Sequence, residues 1–124
     1  MAHHHSPGFL ALVDAARAVV REISIPEYQA REGAGDGMIL IDVREDHEWE
    51  KGRIPGAMHM SRGIIERDIE RTFADKNAPL VLYCGGGYRS ALAADNLQKM
   101  GYANVQSLAG GFREWTREGL PVES

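Results

Sequence analysis

The chain contains a single cysteine, Cys84, so it can form no internal disulfide and no Cys-rich zinc site. It also lacks a basic surplus. Its 14 Lys and Arg stand against 18 Asp and Glu, a formal net charge of −4. That balance argues against nucleic acid as the main partner, because neutralising phosphates calls for a basic surface, although local basic patches remain compatible with it. There is no internal repeat and no low-complexity run, and no segment approaches the roughly 18 apolar residues of a membrane span. The most apolar stretch near the N-terminus, "FLALVDAARAVV", is interrupted by Asp14 and Arg17 and has no basic segment before it, so it does not read as a signal peptide. These absences together predict a cytoplasmic protein without membrane association, in which a lone thiol stays reduced.

At 124 residues, 44% hydrophobic and 26% charged, the chain suits one globular domain with one core. Residues 1–8 include "HHH" and read as a tag remnant or a disordered lead-in, so His3, His4 and His5 are set aside as metal ligands. Over residues 9–23, Phe9, Leu12, Val13, Ala16, Val19, Val20 and Ile23 recur at spacings of three and four, which predicts an amphipathic helix, with Pro7 suited to its first turn. Residues 24–124 then form the domain proper. A helix is expected from Pro26, a loop over Glu32–Gly37, and a doubly buried strand over Met38–Val43. A short charged helical turn ends at Gly52, and a short strand runs through Met60. Ser61 can cap a helix carrying Ile64, Ile65, Ile69 and Phe73. The strand "LVLYC" precedes a helix from about Ser90 to Met100, then the strand "ANVQSL" and a last helix containing Trp115. Strands alternating with helices predict an α/β fold with a mostly parallel sheet covered on both faces, whose sites form at the carboxyl ends of strands. Cys84 lies at such an end.

The residues after Cys84 bear on its chemistry. The thiolate is the nucleophilic form of cysteine. Gly85, Gly86 and Gly87 lack a Cβ, so their N–H groups can curl toward the sulfur, and the helix that follows aims its positive dipole end at the same point. Arg89 adds a permanent positive charge, and no histidine lies nearby in sequence to act as a base. A structural cysteine ending a buried strand would require neither the three glycines nor the arginine.

"CGGGYRS" resembles the active-site loop of rhodanese-type sulfurtransferases. The resemblance runs over roughly Ile23–Val122 and includes "LIDVRE" (Leu40–Glu45), "GRIPGAMHMS" (Gly52–Ser61) and "LAGGFREWTREGLPV" (Leu108–Val122). It implies a three-layer sandwich with a central sheet of about five strands. It also implies a persulfide mechanism. Cys84 would take the sulfane sulfur from a donor such as thiosulfate, and an acceptor (cyanide, a small thiol or a protein cysteine) would remove it. No metal or organic cofactor is implied, and no nucleic acid or membrane partner. The loop residues Gly85, Gly86, Gly87, Tyr88, Arg89 and Ser90 would hold the persulfide. With no second cysteine, the acceptor must come from outside the chain.

Asp42 can accept hydrogen bonds from the loop or from Arg44, or can cap the following turn. Arg44 can attract an anionic donor, or can pair with Glu45 or Glu48 in solvent. Arg53 and Arg62 are weaker candidates for such a role. Tyr88 can line the entrance or pack on the surface. His59 reads as a packing residue, as do Trp49 and Trp115, and Gly110 and Gly111 read as a tight turn. One departure from the family pattern is Gly85, where many thiosulfate-using members carry a basic residue. Two rival functions are a non-catalytic protein-binding module of the same fold and a Cys-Arg phosphatase or arsenate reductase. The latter place five residues between cysteine and arginine, whereas Cys84 and Arg89 are separated by four, a loop better sized for a single sulfur.

Overall fold

The computed structural model describes residues 5–124. Eleven elements follow one another: α1 (Pro7–Arg17), β1 (Arg21–Ile23), α2 (Ile25–Gly33), β2 (Ile39–Asp42), α3 (Asp46–Lys51), β3 (Met58–His59), α4 (Ile65–Thr72), β4 (Leu80–Tyr83), α5 (Tyr88–Lys99), β5 (Val105–Leu108) and α6 (Gly111–Arg117). The five strands form one sheet in the order β1-β5-β4-β2-β3, and every pairing is parallel. Parallel neighbours need crossover connections, which the helices supply, and the inner strands β2, β4 and β5 are accordingly short and buried on both faces, whereas the edge strands β1 and β3 are partly exposed.

Alternation along β4 sets the direction of the site. Leu80, Leu82 and then Cys84 join the cluster that includes Ile65 and Ile69 of α4 and Ala93, Ala94 and Leu97 of α5. Val81 and Tyr83 point to the opposite face, into the cluster of Tyr28 from α2 and Trp115 from α6. Full burial of each large apolar side chain stabilises the fold by about 1.5–3 kcal/mol. Outside α5 a smaller cluster joins Val13 and Ala16 of α1 to Ala91 and Leu92. With the sheet on one side and α1 on the other, α5 is buried almost all round, which is why "SALAA" can be so small and apolar. α1 therefore adds a partial outer layer to the sandwich. Among the described residues no helix is long and apolar enough to cross a membrane.

Several boundaries differ from the sequence expectations. The helix expected over residues 9–23 begins at Pro7, the residue suited to its first turn, but ends at Arg17, while Ile23 lies in a strand. β-Branched Val19, Val20 and Ile23 continued the helical spacing, but pairing of Arg21, Glu22 and Ile23 with Gln106, Ser107 and Leu108 of β5 prevails. Gly8, assigned to the lead-in, belongs to α1, and residues 1–4 of that lead-in, with His3 and His4, lie outside the described residues. Ser61 does not cap α4. Its carbonyl instead accepts the Ile64 N–H at 3.0 Å in a turn that delays the helix to Ile65. α5 starts at Tyr88, two residues before the expected Ser90.

Candidate active site

The chain leaves β4 at Tyr83 and enters α5 at Tyr88, with Cys84, Gly85, Gly86 and Gly87 between. Gly87 caps α5 with φ +90°, a left-handed conformation that side chains disfavour, and this turn brings the helix start back over the cysteine. The Cys84 Sγ accepts the Gly87 N–H at 3.2 Å and the Ser90 N–H at 3.4 Å. Its thiol lies 3.6 Å from the Ser90 hydroxyl, which is in turn 2.8 Å from the Ser107 hydroxyl of β5. The sulfur therefore rests among main-chain and hydroxyl groups at the positive end of α5, a setting suited to holding negative charge.

The loop is held from behind by α6. The Phe112 and Arg113 N–H groups donate to the Cys84 and Gly85 carbonyls at 2.8 and 2.9 Å. This close approach depends on Gly111, where a Cβ would lie 2.4 Å from the Cys84 carbonyl oxygen. With its carbonyls turned toward α6, the loop can turn N–H groups toward the sulfur. The glycine pair at 110 and 111, expected only to allow a tight turn, thus also permits contact between two backbones.

Cys84 is only 1% exposed and forms the floor of a cavity of about 470 Å³. Tyr88 and Arg89 line it from α5, Glu48 from α3, Arg62 from the segment after β3 and Arg113 from α6. Arg89 binds Glu48 through two hydrogen bonds, 2.8 and 3.2 Å. Those hydrogen bonds are the main reason that the Glu48 carboxyl is held down at about 2, and they raise the Arg89 guanidinium above its ordinary value, with Cys84 adding to that rise. The end of α1 reaches the same cavity. Phe9 and His5 pack against Tyr88, with ring centroids 6.1 and 4.5 Å away, Arg17 lies over the same ring, and its Nη2 donates to the Gly87 carbonyl at 3.5 Å. His5, set aside with the lead-in, is therefore placed at the pocket wall. Among the described residues no cluster of His, Cys, Asp and Glu could hold a metal ion.

Asp42 and Arg44 lie beneath the site and do not line it. The Arg44 guanidinium donates to both Asp42 oxygens, at 2.8–3.1 Å, and to the Gly52 carbonyl at 2.6 Å, and it stacks on Phe112. Burial pulls this guanidinium's pKa down, but the Asp42 hydrogen bonds and charge outweigh that and hold it above the usual range. Asp42 also accepts the Arg44 N–H at 2.9 Å, so its pairing with Arg44 and its turn-capping role coexist. The roles expected of Arg44 are corrected: buried and saturated, it neither faces an anionic donor nor pairs with Glu45 or Glu48 in solvent. His59 stacks on Trp49 at 4.9 Å and its Nε2 lies 2.8 Å from the Arg44 carbonyl, a packing position. The Tyr83 hydroxyl accepts the Ile54 N–H at 3.1 Å within the core cluster that both residues share, and burial first, then the Asp42 charge, pushes its phenol up.

Sequence reasoning singled out neither Glu48 nor Arg113 for the site. Glu48 is 41 positions from Arg89 and sits among other charged residues of α3, and Arg113 looks like any solvent-facing helix residue. Only the fold brings them to Cys84.

Residues 25–118 match the rhodanese-like domain. The chain is 35% identical over 100 residues to "Thiosulfate sulfurtransferase GlpE" of Ectopseudomonas mendocina, covering 81% of this chain and 89% of that one. It is 31% identical over 97 residues to "Putative sulfur carrier protein YrkF" of Bacillus subtilis, covering 78% of this chain, and spans about half (51%) of that relative's length. Among solved structures, a protein of unknown function from Rhodopseudomonas palustris, described as a "Possible Tyrosine Phosphatase", superposes with a TM-score of 0.78 at 31% identity, covering 99% of both chains.

Proposed function

The chain belongs to the rhodanese-like domain family, and we propose that it acts as a sulfurtransferase whose sulfur is carried on Cys84. The observation that carries this reading is the position of Sγ: at the floor of a cavity, accepting the Gly87 and Ser90 N–H groups. In the first half-reaction the Cys84 thiolate attacks the sulfane sulfur of thiosulfate. A new S–S bond forms, the donor's S–S bond breaks, and its electron pair leaves with sulfite. The product is a persulfide anion on Cys84, and no external oxidant or reductant is consumed. N–H groups fixed before the reaction stabilise this charge without having to reorganise. In the second half-reaction the acceptor's lone pair takes the outer sulfur, cyanide leaving as thiocyanate, and the thiolate returns. The two steps are double displacement with ping-pong kinetics. Because the chain has one cysteine, the acceptor is external, a small thiol or a thiol of another protein. The 1% exposure of Cys84 means that either must enter the cavity to reach it.

The R. palustris neighbour's description makes phosphate hydrolysis the second reading. Four residues between Cys84 and Arg89, with Arg89 bound to Glu48, favour a single sulfur over a tetrahedral phosphate. Intact-mass measurement after thiosulfate and then cyanide separates the readings. One added sulfur atom, removed by cyanide and absent from Cys84→Ser, is the expected result. A wild type left unmodified by a panel of sulfane donors would overturn the reading, and Cys84-dependent hydrolysis of an aryl phosphate would favour the rival.

A further inference from the structure

The arginines around Cys84 differ in whether they have partners. Arg89 is bound to both oxygens of Glu48, and Arg17 is engaged by Glu22 at 3.5 Å and by the Gly87 carbonyl. Arg62 and Arg113, both lining the Cys84 cavity, have no side-chain hydrogen bond or ion pair among the described residues. The Nε atoms of Arg62 and Arg17 are both buried without a hydrogen-bond acceptor, but only Arg62 lines the Cys84 cavity, so an anion entering there would supply the acceptor that it lacks. The Arg113 Nη1 lies 2.9 Å from where a Cβ on Gly86 would be, and its Nη2 3.9 Å from the same point on Gly85. Its guanidinium thus covers the open face of the loop, in the space that absent side chains leave. The cavity is lined by three guanidinium groups, Arg62, Arg89 and Arg113, against one carboxylate, Glu48, which Arg89 already binds.

We propose that Arg62 and Arg113 form an oxyanion subsite that takes the sulfonate end of an anionic sulfane donor, thiosulfate or an organic thiosulfonate, and holds its sulfane sulfur toward Cys84. The subsite rests on the sulfurtransferase reading for its role, though not for the binding of an anion. Gly85 lacks the basic side chain that many thiosulfate-using members carry at this position, and these two arginines bring positive charge to the same cavity from other elements. A guanidinium fork can donate two parallel N–H bonds to two oxygens of a tetrahedral sulfonate, as it does to phosphate. In the transfer step they stay on the leaving group: as the donor's S–S bond breaks, the electron pair goes to sulfite, whose oxygens remain bound to Arg62 and Arg113.

Two measurements test the subsite. Sulfite is titrated into the Cys84→Ser protein, which cannot carry sulfur, with binding followed by NMR chemical shifts. Arg62→Gln and Arg113→Gln, each added to that protein, should weaken binding about tenfold, the size expected for one charge-assisted hydrogen bond, and Arg113→Lys should recover part of it. With Cys84 intact, the same two Gln variants should raise the KM for thiosulfate about tenfold and that for an uncharged organic trisulfide donor by much less. Absence of sulfite binding to Cys84→Ser, or Gln variants within about twofold of their parents in both assays, would overturn the subsite. A protein that binds sulfite through these arginines but takes no sulfur from any donor would sink the transferase reading alone. One that loads from thiosulfate indifferently to both Gln variants would sink the subsite alone.

Discussion

Glu48 and Arg89 meet at the pocket wall, each side chain about one-third exposed or less (27% and 31%). Since the folded carboxyl titrates at about 2 and an ordinary one at 4.5, the pair's contribution is fully present above about pH 4.5 and is lost as pH falls toward 2. Solvent screening keeps that contribution to about 1 kcal/mol or less. Glu48→Gln should therefore lower the urea midpoint slightly at pH 7, and the gap to wild type should close below pH 4.5, as equilibrium unfolding at both pH values would reveal. A gap that widens on acidification would contradict the pairing. Asp42 and Arg44 form a second pair of a different kind, fully enclosed beneath the loop and part of the fold's framework. Their sequence, "DVR" at the end of a buried strand, already suggested that the two side chains could meet. Burial of the pair, and Phe112 stacked on the guanidinium, could be known only once α6 was in place.

Between elements, the decisive contact is that of α6 with the loop after β4. Ala in place of Gly111 puts a Cβ 2.4 Å from the Cys84 carbonyl oxygen, so either α6 or the loop must move. A displacement of about 1 Å at a reacting centre costs about a hundredfold in rate, and Gly111→Ala should slow sulfur loading at least about tenfold. Gly119→Ala is the control. It shares a positive φ (+72°) but has nothing within 4 Å of the new Cβ, so it should lose about 1–2 kcal/mol of stability with loading unchanged. Equal loading in the two variants, read by timed intact mass, would remove Gly111 from the account. Element type and order were legible in "MILIDV", "LVLYC" and "ANVQSL", because buried parallel strands are short apolar runs. Their ends were less legible. α1 stopped six residues short of its expected end because strand pairing competes with helical spacing, and pairing is not visible within one segment.

At the scale of the whole molecule, α1 lies outside the residues that match the family, 25–118, yet it reaches the pocket. Val13 and Ala16, essentially fully buried, cover Ala91 and Leu92, a burial worth about 2–4 kcal/mol, and Arg17 touches the Gly87 carbonyl. Removing residues 1–17 should lower the unfolding midpoint by a matching amount while leaving the far-UV signature of the five-stranded sheet. Loss of that signature would mean that the sheet cannot form without α1. Charge behaves similarly at this scale. The net value of −4 excluded a basic protein, yet arginines from the post-β3 segment, α5 and α6 gather at one cavity, because composition counts charges without placing them. By itself the sequence determined the α/β class, the strand end bearing Cys84 and the glycine loop with its four-residue spacing, since all of these depend on residues near one another in the chain. Glu48 beside Arg89, Arg113 over Gly86, the enclosure of Arg44 and the arrival of α1 at Tyr88 were decided only by the tertiary structure. Each joins segments that no local periodicity connects, and each depends on how parallel strands and their crossover helices pack in three dimensions.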